Sequence, residues 1–406
     1  MVNVIGLGYI GLPTALMLAA HGVEVVGTDC DVNRISELNA GRIFFNEPGL
    51  KELFTSAVSK GIQFTSEYVR ANTYIIAVPT PCDSKSKKIN LSIIAAAIEY
   101  ISAFCPKGAI LIIESTVSPG SIEKLARSIL DMKGFTVGED IHLAHAPERV
   151  IPGNMIQELK HNPRTIGADN PAIAKSVADL YRSFCESEIT LTNIRTAEMT
   201  KVAENTFRDV NIAFANELAK ICRNDNINVY DVISIANKHP RVNILFPGPG
   251  VGGHCIAVDP WFLVGDYFKL ANLVFAARKV NDSMPEYVLE RIATIMKAEK
   301  MEDISRVGLY GLTYKADVDD VRESPTLQLL ECMERHLAHG VKVYDPLIKQ
   351  DMVKNQYHNL DVFLGDVDMV VIMVGHKEVI ENLFKLENKI LLDTHNIASA
   401  LRHYSL

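Results

Sequence analysis

Among the seven cysteines of the 406-residue sequence no two lie closer than 23 positions, there is no C-x-x-C, and the total is odd. These absences argue against a disulfide framework and against a zinc-thiolate site, and they fit a reducing, cytoplasmic setting. No apolar run reaches the ~18 residues that a membrane-crossing helix needs. The apolar opening MVNVIGLGYIGLPTALMLAA carries no Lys or Arg before Arg34, so it lacks the basic flank of a signal peptide. Positive charge is also short, with 41 Lys plus Arg against 49 Asp plus Glu and a net charge of −8. That balance disfavours nucleic acid and anionic membranes as partners of the whole surface. Low-complexity segments are missing too, and Lys85, Lys87 and Lys88 read as a short solvated basic loop. What remains is 48% hydrophobic and 22% charged, enough for sizeable cores in two or three domains.

Strand-like runs alternate with helical patterns at both ends of the chain. VNVIGLG, VEVVGTD, TYIIAVP and AILIIEST occur near the start; RVGLYGL, VKVYDP, DMVVIMVG and KILLDTH occur near the end. The alternation predicts α/β architecture with two Rossmann-like, doubly wound domains, placing Asp29 and Asp345 at equivalent strand ends. Between them lies a mainly helical region, and the spacing predicts a long helix over Thr196–Asn224. The expected boundaries are 1–185, 186–298 and 299–406. The Pro/Gly-rich stretch 240–260 interrupts the central region, and a loop of that length usually carries function.

Four motifs carry chemistry. Gly6-x-Gly8-x-x-Gly11 closes a strand and opens a helix, and Asp29 ends the next strand. Glycines permit close backbone approach, the helix N-terminus holds a pyrophosphate, and the acid takes the ribose hydroxyls, favouring NAD over NADP. Arg34, five residues on, stands against that preference. Cys255 lies in GGHCIAVDP with Asp259 four residues later; a thiol beside a dinucleotide permits covalent catalysis on an aldehyde, the alternative being an inert buried thiol. On the long helix, Glu198, Lys201, Asn205 and Arg208 share one stripe, while the other faces are apolar almost all round. This predicts a central helix whose polar stripe lines a cavity, with Lys201 as proton donor or alkoxide stabiliser. Tyr314-Lys315 and Arg322-Glu323-Ser324-Pro325 occupy the place of a glycine fingerprint in the C-terminal unit, suggesting either a nucleotide held by side chains or a surface loop of ion pairs. Ser118-Pro119 reads as a helix cap, leaving Thr116 at the cofactor edge of the sheet. His142 and His145 alternate on a strand, and His336 and His339 could share a helical face without a third ligand, so no metal site is expected.

Together, GPGVGGHCIAVDPWF (248–262), APERVIPG (146–153), AENTFRDVNIAFANELA (203–219) and GLTYKADVDDVRESP (311–325) resemble the UDP-glucose/GDP-mannose (nucleotide-sugar 6-) dehydrogenase family. The resemblance runs from Val2 to the end. It implies an NAD domain, a central helical dimerisation region forming a homodimer, and a C-terminal domain for a UDP-sugar. It also implies two successive oxidations consuming two NAD+ and one water. By position, Cys255 is the nucleophile, Lys201 the acid/base or oxyanion stabiliser, Asn205 assists with sugar and water, Asp259 orients groups near the thiol, and Glu148 serves thioester hydrolysis. Arg149, Val150, Arg208, His239, Arg241, Gly252, Tyr314 and Lys315, with Lys201 and Asn205, contact substrate. Tyr9, Ile10, Asp29, Thr80, Thr116 and Arg322 contact NAD. The loop 248–262 is most similar to that of members acting on UDP-N-acetyl-D-mannosamine, whose uronate serves surface glycan synthesis. UDP-N-acetylglucosamine and UDP-glucose are the alternatives. Asn154 and Asp393-Thr394-His395-Asn396 depart from the family pattern at substrate-facing positions. A two-electron 3-hydroxyacid dehydrogenase is the more distant reading, against which Cys255 and the second Rossmann-like domain discriminate.

Overall fold

The structure, a computed structural model, describes every residue except Ser84, Lys85, His254, Ser399, Ala400 and Arg402. Lys85 of the basic loop therefore lies outside the described residues. By compactness the chain divides into two units, Met1–Glu204 and Asn205–Leu406.

The first unit is built on an eight-stranded sheet. Its strands are β1 (Val2–Ile5), β2 (Val25–Thr28), β3 (Gln63–Thr65), β4 (Thr73–Ile76), β5 (Ala109–Ile113), β6 (Ile141–His145), β7 (Arg164–Ala168) and β8 (Ile189–Thr192). They lie in the order β3-β2-β1-β4-β5-β6-β7-β8. The first six follow the dinucleotide-binding order, and β1 pairs in parallel with β2 and β4. Only β6 and β7 run antiparallel. The residues VNVI of β1 are all buried because helices cover both faces of the sheet, which is why the central strands read as unbroken apolar runs. Leu12, Leu16, Met17 and Phe54 fill one face, and Ile94, Ile98, Ile101 and Leu130 fill the other. The order reverses direction between β1 and β4, and the crevice at such a switch point is where ligands bind.

The second unit carries a six-stranded, wholly parallel sheet. Its strands are β9 (Val307–Tyr310), β10 (Lys342–Tyr344), β11 (Gln356–Tyr357), β12 (Met369–Ile372), β13 (Ile390–Asp393) and β14 (Tyr404–Ser405). They are ordered β11-β10-β9-β12-β13-β14. Helices Val229–Ala236, Asp259–Asp266, Asn272–Asp282, Met284–Ala298 and Pro325–Arg335 belong to it. The long helix spans Ile194–Asn224, two residues longer than its periodicity predicts. No helix among the described residues is long and apolar enough to cross a membrane.

Three expectations are corrected. The helix after β5 does not begin at Pro119 with Ser118 as its cap. It begins at Ser121, and the buried Ser118 hydroxyl has no partner. Its amides Gly120 N–H and Ile122 N–H (2.9 Å) instead donate to the carboxylate of Glu198 from the long helix. Glu198 is thus a buried cap and not part of a cavity lining. Nor is the long helix enclosed on all its apolar sides. Ala197, Val202 and Ala213 are buried, but Phe207 and Phe214 are 65% and 54% exposed. Finally, His336 and His339 share no helical face, because the helix ends at Arg335.

Candidate active site

At the switch point of the first unit the glycine motif has a steric cause. Gly6 has φ +89°, and a Cβ there would sit 2.8 Å from the Ala77 carbonyl oxygen; a Cβ at Gly11 would lie 1.9 Å from Gly6 O. At Gly8 a Cβ would meet nothing within 4 Å, so the backbone there borders open space. The helix Gly11–Ala20 that follows has no side-chain cap at Ile10, so no side chain covers its N-terminus, although Leu12 N–H turns back to Gly8 O at 3.2 Å. These features suit the pyrophosphate of a dinucleotide. Asp29, buried at the end of β2, accepts Leu7 N–H at 2.8 Å and Asp31 N–H at 2.9 Å. Arg34 reaches the same carboxylate (2.7 Å) and lies 4.8 Å from the Phe44 ring centroid. Asp29 therefore braces the glycine turn. Tyr9 packs on Phe45. Thr80 Oγ1–H donates to the Thr116 carbonyl at 2.8 Å, tying the loops after β4 and β5 together.

β6 ends in His145 and runs directly into Ala146-Pro147-Glu148-Arg149. His145 is fully buried; its Nδ1–H donates to Ile113 O at 2.7 Å, and Nε2 has no partner. Burial above all, with the Lys201 charge adding to it against the effect of that hydrogen bond, pushes its pKa down to about 4. The ring is neutral at neutral pH. Lys201 is itself buried and makes no ion pair or hydrogen bond among the described residues. Glu148 accepts Arg149 N–H at 2.7 Å and is ion-paired with Arg164. Arg149 turns toward Pro163 O (2.9 Å), Thr165 Oγ1 (2.7 Å) and Glu204 (2.8 Å). Val150 packs against the core. Asn154, exposed, makes no cap bond to the helix Met155–His161.

In the second unit, Cys255 sits in the turn that opens the helix Asp259–Asp266. Its carbonyl accepts the amides of Val258 (3.1 Å) and Asp259 (2.8 Å), and its side chain is half-buried. Asp259 is buried and accepts Nδ2–H of Asn205 at 2.6 Å. The glycines before Cys255 are needed for contact with the other predicted motif. A Cβ at Gly252 would lie 2.6 Å from Tyr314 Cβ and 2.7 Å from Glu323 O, and Gly253 has φ +80°. Gly253 N–H donates to Arg322 O at 2.9 Å. Arg322 forks onto Asp320 at 2.9 and 2.5 Å. Lys315 is exposed beside the half-buried Tyr314. Their loop is held from below by Asp345, which accepts Leu312 N–H (2.6 Å) and Thr313 N–H (3.1 Å), and by His376, whose Nδ1 accepts Asp317 N–H (3.0 Å). Asp345 thus repeats in the second unit the bracing that Asp29 performs in the first. Arg208, His239 and Arg241 are exposed, and His395 bonds Met373 O (2.8 Å).

Sequence reasoning missed Glu47, Glu114 and Arg164. Glu47 is buried and accepts Gly153 N–H (2.8 Å) and Met155 N–H (2.7 Å), so it caps the segment after APERV. Glu114 and Arg164 back Glu148; the available signal was a charged residue at the margin of an apolar strand.

A dinucleotide cradle in one unit and a thiol-bearing, glycine-framed loop in the other define an NAD-dependent dehydrogenase. Residues 1–185 match the NAD binding domain of the UDP-glucose/GDP-mannose dehydrogenase family, 195–283 its central domain and 308–400 its UDP binding domain, and the chain belongs to that family. It is 43% identical to the UDP-N-acetyl-D-mannosamine dehydrogenase of Methanococcus vannielii, over 97% of this chain and 92% of that protein. It is 41% identical to the NDP-N-acetyl-D-galactosaminuronic acid dehydrogenase of Ralstonia nicotianae, over 99% and 97%. The native structure of the UDP-N-acetyl-mannosamine dehydrogenase from Staphylococcus aureus superposes with a TM-score of 0.89 at 42% identity, covering 100% of this chain and 97% of that one.

Proposed function

We propose that the protein oxidises UDP-N-acetyl-D-mannosamine at C6 by four electrons, giving UDP-N-acetyl-D-mannosaminuronate for surface glycan synthesis. The observation that carries the reading is the Cys255 turn, heading a helix whose first residue, Asp259, is held by Asn205. A two-electron alcohol dehydrogenase has no use for a thiol so framed. NAD, held by the Gly6–Gly11 turn and Asp29, with Tyr9, Ile10, Thr80, Thr116 and Arg322 as further contacts, supplies hydride acceptance in both oxidations.

Lys201, one turn before Asn205, holds its ammonium charge beside the developing alkoxide, while the hydroxyl proton passes to water and the hydride to NAD as the C6 alcohol becomes an aldehyde. The Cys255 thiolate then adds to the aldehyde carbon, forming a thiohemiacetal, and loss of a second hydride makes a thioester. Water adds to the thioester carbonyl and gives its proton to Glu148; the C–S bond breaks and Cys255 leaves as thiolate. Arg149, Val150, Arg208, His239, Arg241, Gly252, Tyr314 and Lys315 bind the sugar nucleotide. The active form is a homodimer through the long helix, where exposed Phe207, Phe214 and Ile221 recur at seven-residue intervals and a second copy would cover them.

The test is stoichiometry on a panel of UDP-sugars. Two NADH and one uronate are expected per UDP-N-acetylmannosamine, with slower turnover of UDP-N-acetylglucosamine and UDP-glucose. One NADH with a released aldehyde rejects the thioester route.

A further inference from the structure

Behind Glu148 lies a set of buried ionisable groups that the proposed steps do not use. Glu114 follows β5, Arg164 opens β7, and Tyr181 ends the helix Pro171–Tyr181. Glu114, Arg164 and Tyr181 are all buried. Arg164 Nη2 pairs with Glu148 Oε2, while its Nη1 lies 4.0 Å from Glu114 Oε1. That same Glu114 oxygen accepts the Tyr181 hydroxyl (3.0 Å) and the Thr14 hydroxyl (3.3 Å). The guanidinium carbon lies 4.7 Å from the Tyr181 ring centroid, so the aromatic face covers the cation.

One guanidinium cannot neutralise two carboxylates, and a leftover negative charge in this interior would be costly. Glu114 is the group that keeps its proton. Burial first, and the Glu148 charge second, push its pKa up to about 8. The titratable groups facing it are Glu148, Arg164 and Tyr181; burial holds Tyr181 protonated far above its ordinary range. Arg164 Nη1 and Glu114 Oε2 are both buried without a partner. When Glu114 loses its proton, Nη1 is the nearby donor left to answer the new charge.

We infer that Arg164 and Glu114 form a positioning device for Glu148, in which Arg164 fixes the Glu148 carboxylate and Glu114 sets how firmly, by competing for Arg164 once deprotonated. The inference rests on the proposed part of Glu148 in thioester hydrolysis. Neither residue touches substrate in this scheme; both act through Glu148.

Three variants, each checked for retained thermal unfolding, test it: Glu114→Gln, Arg164→Lys and Glu148→Gln. The readouts are uronate formation from about pH 6 to about pH 9 and the acyl-enzyme fraction on Cys255 by intact-mass measurement. Glutamine mimics the protonated Glu114, so Glu114→Gln should keep uronate formation near pH 7 within about twofold, while an inflection near pH 8 present in the parent enzyme disappears. Arg164→Lys should slow hydrolysis roughly tenfold or more and accumulate acyl-enzyme, with both KM values nearly unchanged. A Glu114→Gln profile superimposable in shape on the parent, or Arg164→Lys without effect on hydrolysis, overturns the inference while Glu148→Gln still slows that step. If Glu148→Gln leaves hydrolysis intact, the reading of Glu148 itself fails and takes the inference with it.

Discussion

Cys255 and His145 make contrasting demands on their surroundings. Cys255 must be reachable, and its turn keeps it half-buried with glycines on the approach. Replacing it by alanine should stop uronate formation by at least about a thousandfold while NAD titrates with unchanged affinity, measured by fluorescence quenching. Retained turnover removes the thiol from the chemistry. His145 must stay neutral and dry. With its folded pKa lowered from 6.5 to about 4, the unfolded chain binds the proton first as pH falls. Its contribution is therefore complete above pH 6.5 and lost between there and about pH 4, amounting to about 3 kcal/mol at most. Urea midpoints across that window should fall for the parent protein and fall less for His145→Asn, which keeps a donor toward Ile113 O. Equal slopes would show that His145 is not what titrates.

At the scale of elements, the glycine-framed loop and the Tyr314 loop are fitted to each other within unusually small clearances. Gly252→Ala should cost about 1–3 kcal/mol of thermal stability and raise KM for the UDP-sugar several-fold without moving KM for NAD. A matching rise in both constants would place the damage elsewhere. Eight strands, β1, β2, β4 and β5 in the first unit and β9, β10, β12 and β13 in the second, were legible in sequence because parallel strands buried on both faces read as continuous Val/Ile/Leu runs, whereas β7 and β8 were not read. The short strands β3, β11 and β14 lie at or near sheet edges, where two or three residues leave no pattern to read. Cys255, Asp259 and Asn205 were visible as motifs, and their hydrogen-bonded grouping is a contact across 54 positions that no local spacing encodes. The same limit explains Ser118. Ser-Pro is a sound capping signal, yet a carboxylate 78 positions from Gly120 took the cap instead. Glu198 looked like one more member of a polar stripe because spacing reports the face of a helix and not what covers it.

For the whole molecule, the proposed dimer makes the sharpest demand. Phe214→Glu should shift light-scattering mass from twice 44.9 kDa to 44.9 kDa, with the far-ultraviolet circular dichroism unchanged. An unaltered mass would send the interface to another surface. The two units also carry the same bracing twice. Asp29 accepts the amide of Leu7, the residue after the tight glycine at φ +89°; Asp345 accepts the amide of Leu312, the residue after Gly311 at φ +100°. The shared rule is that an acid at the end of the second strand of each unit fixes the turn that leaves the first. In that register Gly8 and Gly11 stand opposite Thr313 and Ala316, so the turn of the second unit keeps its brace without the full glycine motif. Because the brace acts on backbone amides, side chains along either turn can differ while its path over the strand stays the same.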